Sequence, residues 1–143
     1  SLHPQTTIKK NRNTMLSNKK IIVAISGGIA AYKIPSLIRL FIKNGAEVKV
    51  VATENALRFV TPLTLETVSK NAVYSDTFAP KNEVSTEHVS LASWADMMVV
   101  APATANIIGK FASGIADDAL STLFLAFFVC EVVSKKLSRF REF

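Results

Sequence analysis

The sequence contains little cysteine and no long apolar segment. Its one cysteine, Cys130, excludes an internal disulfide framework and a cysteine-based zinc site, and it is compatible with a reducing compartment. The longest apolar run, residues 120–130, is shorter than the about 20 residues that span a bilayer, so we expect it in the core. The first twenty residues lack the apolar region of a secretory signal. These absences favour a cytoplasmic protein with no membrane partner.

The sequence also lacks the residue clusters of several enzyme classes. It has two histidines, His3 and His88, and no Ser/His/Asp arrangement of a nucleophilic triad. Because no cluster of His, Cys, Asp and Glu has the spacing of metal ligands, no metal is expected. Glu87 and the pair Asp117-Asp118 are expected to be solvated or to cap helices.

The net charge of the chain is +6, but the middle of the chain carries no excess of positive charge. Residues 1–20 carry five Lys and Arg and no acid, whereas residues 21–130 carry eight basic and nine acidic residues. Because the basic residues lie at the ends and residues 21–130 are almost neutral, no nucleic-acid partner is expected.

The hydrophobic content of 49% in 143 residues indicates one α/β domain with a sheet buried on both faces. Apolar strand patterns alternate with helical ones, which predicts a parallel sheet with helices on both faces. The predicted strands are residues 21–26, 47–53, 71–76 and 96–102. The predicted helices are residues 30–44, 54–60, 63–70, 88–94, 104–111 and a last helix from Ala119.

The stretch "IIVAISGGIAAYK" joins the first strand to the first helix through Ser26, Gly27 and Gly28. Glycines permit close approach to the backbone, and a helix N-terminus with a nearby hydroxyl favours an anion such as phosphate. The stretch is neither G-x-G-x-x-G nor a P-loop. It is therefore either a phosphate cradle or a tight turn without a ligand.

Two further polar segments follow predicted strands, around Thr53 and at "PATAN", which contains Thr104. The carboxyl ends of parallel strands are where such sheets bind ligands, although either threonine can also act as a simple helix cap. His88 is predicted at the head of a helix turn, where the helix dipole favours its neutral form. It is either a proton acceptor or a surface histidine.

Three segments occur in an order that resembles the flavin-dependent cysteine decarboxylase family. They are "VAISGGIAAYK", "EVKVVATENALRFV" and "TEHVSLASWADMMVVAPATANIIGKFASGIADDALST". The resemblance is strongest to the branch that acts on 4′-phosphopantothenoylcysteine, and it covers about residues 18–126. It implies a flavodoxin-like (Rossmann-like) three-layer α/β/α fold that is incomplete at the C-terminus. It divides the chain into a disordered leader (1–17), a flavoprotein domain (18–126) and a divergent tail (127–143).

The resemblance further implies FMN as cofactor and decarboxylation of 4′-phosphopantothenoylcysteine to 4′-phosphopantetheine in coenzyme A biosynthesis. It implies His88 as the active-site histidine, and a homotrimer or dodecamer with flavin between subunits. The residues it matches to the flavin site are Ser26, Gly27, Gly28, Ile29, Thr53, Thr104, Ala105, Asn106 and Ile107.

The tail departs from the family pattern. The sequence "FFVCEVVSKKLSRFREF" contains neither the Pro-x-Met-Asn substrate motif nor the flap cysteine of the family, and Cys130 is in no matching context. We therefore expect a chain that binds flavin with little or no turnover. A flavin prenyltransferase, which shares the fold, and a non-catalytic flavin-binding or regulatory subunit are the alternatives.

Overall fold

The computed structural model describes residues 15–76 and 84–141. The predicted leader therefore lies almost wholly outside the described residues. The strands are β1 (Lys20–Ile25), β2 (Glu47–Ala52), β3 (Val73–Tyr74) and β4 (Met97–Val100). The α-helices are α1 (Ile34–Lys43), α2 (Pro62–Ser69), α3 (Val84–Trp94), α4 (Ala105–Ser113) and α5 (Ala119–Arg141). Two short 3₁₀ helices span Ile29–Lys33 and Ala56–Arg58.

The four strands form one parallel sheet in the order β3-β2-β1-β4. β1 is central, and the five residues from Ile21 to Ile25 are fully buried. Successive side chains of a strand point to opposite faces of the sheet, and parallel strands need cover on both faces. This explains why β1 is continuously apolar from Ile21 to Ile25.

The core consists of two layers, one on each face of the sheet. Ile21, Val23 and Ile25 of β1 pack with residues of α1 and α2, such as Ile38 and Leu65. The alternate residues of β1 pack with α3, α4 and α5 on the opposite face; the buried side chains there are Ile22, Ala24, Leu91, Ile107, Leu120 and Leu123. The predicted three-layer α/β architecture is confirmed.

The helix predicted for residues 30–44 is divided in two. A 3₁₀ helix comes first, and α1 begins at Ile34 with Pro35 in its first turn. Proline is tolerated there because the first turn has no intrahelical acceptor for that N–H group. The helix ends at Lys43, within one residue of its predicted end, and is followed by Gly45 with a φ of 92°. Pro62 likewise begins α2 and does not break a helix.

The expected deep burial of β4 and of residues 120–130 is wrong in part. β4 lies at an edge of the sheet, where Met97 is 49% exposed and the other three residues are half-buried. In α5, Leu120 and Leu123 are buried, but Phe128 and Val129 are more than half exposed. The helix continues through Ala126 without a break. The N-terminal half of α5 therefore packs against the domain, whereas much of its C-terminal half is exposed.

Candidate functional site

A cleft of about 360 Å³ lies at the carboxyl ends of β1 and β2, beside the N-terminus of α4. It gathers the three loops that the sequence singled out, those that follow β1, β2 and β4. Its lining residues are Ser26, Gly27, Thr53, Glu54, Asn55, Asp76, Thr104, Asn106, Ile107, Lys110 and Asp118. Six of the nine predicted flavin-site residues are in this lining, whereas Gly28, Ile29 and Ala105 are not.

Ser26 connects the loops that follow β1 and β4. Its buried hydroxyl donates a hydrogen bond to the Pro102 carbonyl and accepts one from the Thr104 N–H at 3.1 Å. The hydroxyl proton is therefore used inside the protein. The prediction that Ser26 offers a hydroxyl donor to a ligand does not fit this arrangement.

The hydroxyls of Thr53 and Thr104 each accept a backbone N–H from three residues later. Thr53 Oγ1 accepts the Ala56 N–H at 3.2 Å, and Thr104 Oγ1 accepts the Ile107 N–H at 3.3 Å. The capping expectation is confirmed for Thr104, which is the N-cap of α4, whereas the N-cap after Thr53 is Asn55. Because each hydroxyl acts as an acceptor in these bonds, its own proton can still be donated to a group in the cleft.

Contacts within the protein restrict both glycines of the first loop, and they restrict Gly27 more severely than Gly28. A Cβ on Gly27 would lie 2.4 Å from Asn55 Cβ, and a Cβ on Gly28 would lie 3.3 Å from Pro102 Cγ. Gly28 has an extended backbone with a φ of −137°, so a left-handed conformation is not the reason. The predicted α-helix N-terminus is also absent from this loop, because a five-residue 3₁₀ helix follows it.

His88 lies in the second turn of α3, since the helix begins at Val84. The prediction that it heads a helix turn is wrong. Its side chain is 7% exposed, and neither ring nitrogen has a hydrogen-bond partner among the described residues. Burial lowers the pKa of His88, although the carboxylates of Asp76 and Glu87 act in the opposite direction. The imidazole is therefore held neutral, through desolvation and not through the helix dipole.

His88 is not part of the cleft lining, but Asp76 is. The carboxylate of Asp76 favours the charged form of the imidazole, so a residue of the cleft lining acts electrostatically on His88. Sequence reasoning missed Asp76, although it is the last residue of the predicted strand 71–76, because only the segments after the other three strands were assigned to the ligand site.

Lys110 is a second lining residue that sequence reasoning missed. Its Nζ lies 2.8 Å from carboxylate oxygens of both Asp117 and Asp118, and these bonds raise the pKa of Lys110. Burial alone would raise the pKa of Asp118, but hydrogen bonds from Lys110 and Ser121 lower it overall. Asp118 also accepts the Ser121 N–H at 2.7 Å, which confirms its capping role at α5. Lys110 was detectable in the sequence as the residue one helical turn after Ile107.

Neither a metal-binding cluster nor a membrane-spanning helix occurs in the described ranges, 15–76 and 84–141. No group of three or more His, Cys, Asp or Glu residues there could hold a metal ion. No helix in these ranges is long and apolar enough to cross a membrane.

The sequence matches the family model described as Flavoprotein over residues 9–135. This chain belongs to the flavoprotein family. Over 112 residues it is 51% identical to the coenzyme A biosynthesis bifunctional protein CoaBC of Bacillus subtilis, covering 78% of this chain and 28% of that protein. The chain thus spans a little over a quarter of the curated relatives it matches.

Two solved structures of flavodoxin-like fold resemble this one. The FMN-dependent cysteine decarboxylase SpaF matches with a TM-score of 0.69 and 31% identity, over 78% of this chain and 64% of SpaF. A PPC decarboxylase mutant complexed with pantothenoylaminoethenethiol matches with a TM-score of 0.64 and 31% identity, over 77% of this chain and 61% of that structure. The predicted flavodoxin-like fold is confirmed.

We expect Gly27→Ala to destabilise the protein, because its Cβ would overlap Asn55 Cβ and neither atom can rotate away. The expected loss is about 1–3 kcal/mol in the free energy of unfolding, as for other overpacked sites. Urea unfolding followed by circular dichroism measures it. Gly109→Ala is the matched control, because a Cβ there meets nothing within 4 Å. Equal stability of the two variants would contradict this account of the loop.

We expect the stability of the protein to fall as the pH decreases through about 6.5, the ordinary pKa of histidine. The pKa of His88 is lowered in the folded state, so the unfolded state binds the proton first, and acid favours unfolding. One such group contributes at most about 1.4 kcal/mol per pH unit. Urea unfolding between pH 7.5 and 5.5 should give a smaller slope for His88→Gln than for the wild type. Parallel curves would disprove the assignment. Asp118, whose pKa is lowered, acts only at more acidic pH.

Proposed function

We propose that this chain carries the FMN site and the active-site histidine of a phosphopantothenoylcysteine decarboxylase. In coenzyme A biosynthesis this activity converts 4′-phosphopantothenoylcysteine to 4′-phosphopantetheine with loss of carbon dioxide. The observation that carries the proposal is the cleft, in which hydroxyl, amide and ammonium donors from separate loops converge at the carboxyl ends of the strands. Support comes from the identity of about half the aligned residues with the coenzyme A biosynthesis protein.

The side chains of the cleft fit the chemistry of FMN. The phosphate and the ring carbonyls of FMN accept hydrogen bonds, and Thr53, Thr104, Asn106 and Lys110 can donate them. When bound, FMN supplies a two-electron oxidant for the cysteine thiol of the substrate. The proposed FMN site also includes Gly28, Ile29 and Ala105, which do not line the cleft. The homotrimer or dodecamer with flavin between subunits belongs to the same proposal. A cytoplasmic location belongs to the same proposal.

His88 is proposed to accept the proton of the substrate thiol. Its neutral imidazole has a nitrogen lone pair available for a proton. A buried polar group without a partner costs about 1–3 kcal/mol, and a hydrogen bond from the substrate would recover that cost. The neighbouring Asp76 carboxylate would stabilise the imidazolium that forms.

We expect the purified chain to bind FMN, and we expect Thr104→Val to weaken that binding at least tenfold. The substitution removes the hydroxyl donor from the cleft together with the cap of α4. Quenching of FMN fluorescence on titration measures the dissociation constant.

Thr61→Val is the matched control for this titration. Thr61 caps α2 through the Thr64 N–H and is not part of the cleft. The variant loses a similar cap and should bind FMN as the wild type does. If the wild type does not bind FMN, or if both variants weaken it equally, the proposed cofactor site is wrong.

We expect His88→Asn to abolish decarboxylation and to leave FMN bound. The assay uses a chimera that joins residues 1–126 to the remainder of the Bacillus subtilis protein, because the substrate motif of the family is not in this sequence. General-base assistance is worth about 10²–10⁴ in rate, and release of carbon dioxide from 4′-phosphopantothenoylcysteine measures it. A chimera with His88→Asn that turns over within about threefold of its parent would exclude this role. A parent chimera that binds FMN without turnover would favour the non-catalytic alternative.

A further inference from the structure

Lys110 lines the cleft with one N–H group that has no partner in the described part of the chain. Its Nζ lies 2.8 Å from a carboxylate oxygen of Asp117 and 2.8 Å from one of Asp118. An ammonium group has three N–H donors, so these two ion pairs leave one donor and restrict its direction. Because the side chain is 18% exposed and belongs to the cleft lining, this donor is available to a group that enters the cleft.

The two carboxylates that hold Lys110 differ in how firmly they are fixed. Asp118 is 21% exposed, and its Oδ1 also accepts the N–H and the hydroxyl of Ser121 at 2.7 Å each. Asp117 is 59% exposed and does not line the cleft, and among the described residues its side chain bonds to Lys110 alone. Asp118 is therefore fixed at the start of α5, whereas Asp117 is an additional negative charge that this cap does not need.

Asn106 supplies a second donor on the same side of α4. Asn106 and Lys110 are four residues apart, so they are neighbours on the helix surface, and both line the cleft. The N–H groups of Ala105 and Asn106 lie in the first turn of α4, where they have no acceptor within the helix. Such N–H groups and the positive end of the helix dipole favour an anion. α4 thus brings amide, N–H and ammonium donors to one side of the cleft.

We propose that Lys110 binds an anionic oxygen of the molecule that occupies the cleft, and that the charge of Asp117 weakens this binding. The third N–H of Lys110 donates to a phosphate or carboxylate oxygen. Two carboxylates on one ammonium leave one excess negative charge, which repels an entering anion. Without the charge of Asp117, the remaining pair of Lys110 and Asp118 is neutral. The identity of the anion rests on the proposed function: it is the phosphate of FMN or an acidic group of the substrate.

Inorganic phosphate is the first probe, and the full 143-residue chain is used. A ligand that binds the folded state raises the midpoint of urea unfolding. Lys110→Met should weaken phosphate binding about tenfold, because it removes a charge-assisted hydrogen bond, whereas Asp117→Asn should strengthen it about threefold, because it removes an exposed opposing charge. Each midpoint is compared with that of the same variant without phosphate, so a loss of basal stability cancels.

The opposite signs of the two effects distinguish this proposal from a purely structural ion pair. If Lys110 only joined α4 to the start of α5, Asp117→Asn would not strengthen binding of an anion. Lys43→Met and Glu47→Gln are the charge-matched controls, because both residues are exposed and neither lines the cleft. Both control variants should respond to phosphate as the wild type does.

Titration with FMN and with riboflavin, which lacks the phosphate, identifies the source of the anion. If it is the flavin phosphate, Lys110→Met should weaken FMN binding about tenfold and leave riboflavin binding unchanged. If it is an acidic group of the substrate, only the response to inorganic phosphate should be lost. If the wild type binds neither flavin but the phosphate responses have the expected signs, the proposed cofactor is wrong and the anion site stands. The inference is overturned if Lys110→Met weakens neither phosphate nor FMN binding, or if Asp117→Asn does not strengthen the binding that depends on Lys110.

Discussion

The geometry of the cleft depends on one buried hydroxyl. Ser26 Oγ bonds to both a carbonyl and an N–H group of the loop after β4, and so joins two chain segments that are 76 residues apart in sequence. The same connection holds Thr104, and therefore the N-terminus of α4, beside the loop that follows β1. Because the Ser26 side chain is 2% exposed, water does not compete for these bonds. The other cleft residues take their positions relative to this fixed pair of loops.

The architecture could be predicted from the sequence because its signals are local. The continuous apolar pattern of β1, the cap at Thr104 and the left-handed Gly45 and Gly114 all act within a few residues. The positions that the sequence misjudged depend on distant partners. The need for Gly27 comes from Asn55 across a loop, and the exposure of β4 comes from its place at the edge of the sheet. The order of the strands is not encoded in any one of them.

The candidate site likewise combines features that local sequence patterns predict with features that depend on distant partners. Three of its loops could be predicted, because strands that precede helices have a recognisable pattern. The electrostatics could not be predicted, because they result from tertiary placement. The cleft lining contains three acids, Glu54, Asp76 and Asp118, and one cation, Lys110, which is already paired. An anionic group entering this cleft therefore relies on neutral donors and on the third N–H of Lys110, which is not used by Asp117 or Asp118.

The strand order also has a consequence for synthesis of the protein on the ribosome. β1 and β2 are neighbours in sequence and in the sheet, so they can pair while the chain is still being made. The other hydrogen-bonding edge of β1 pairs only after β4 has been synthesised. Ser26 and Pro102 are 76 residues apart, and contacts of such long separation form slowly. Until residue 100 has emerged, the nascent chain therefore carries β1, which is apolar from Ile21 to Ile25, with one of its hydrogen-bonding edges unpaired. The cleft, which needs the Ser26 connection, is among the last parts of the structure to form.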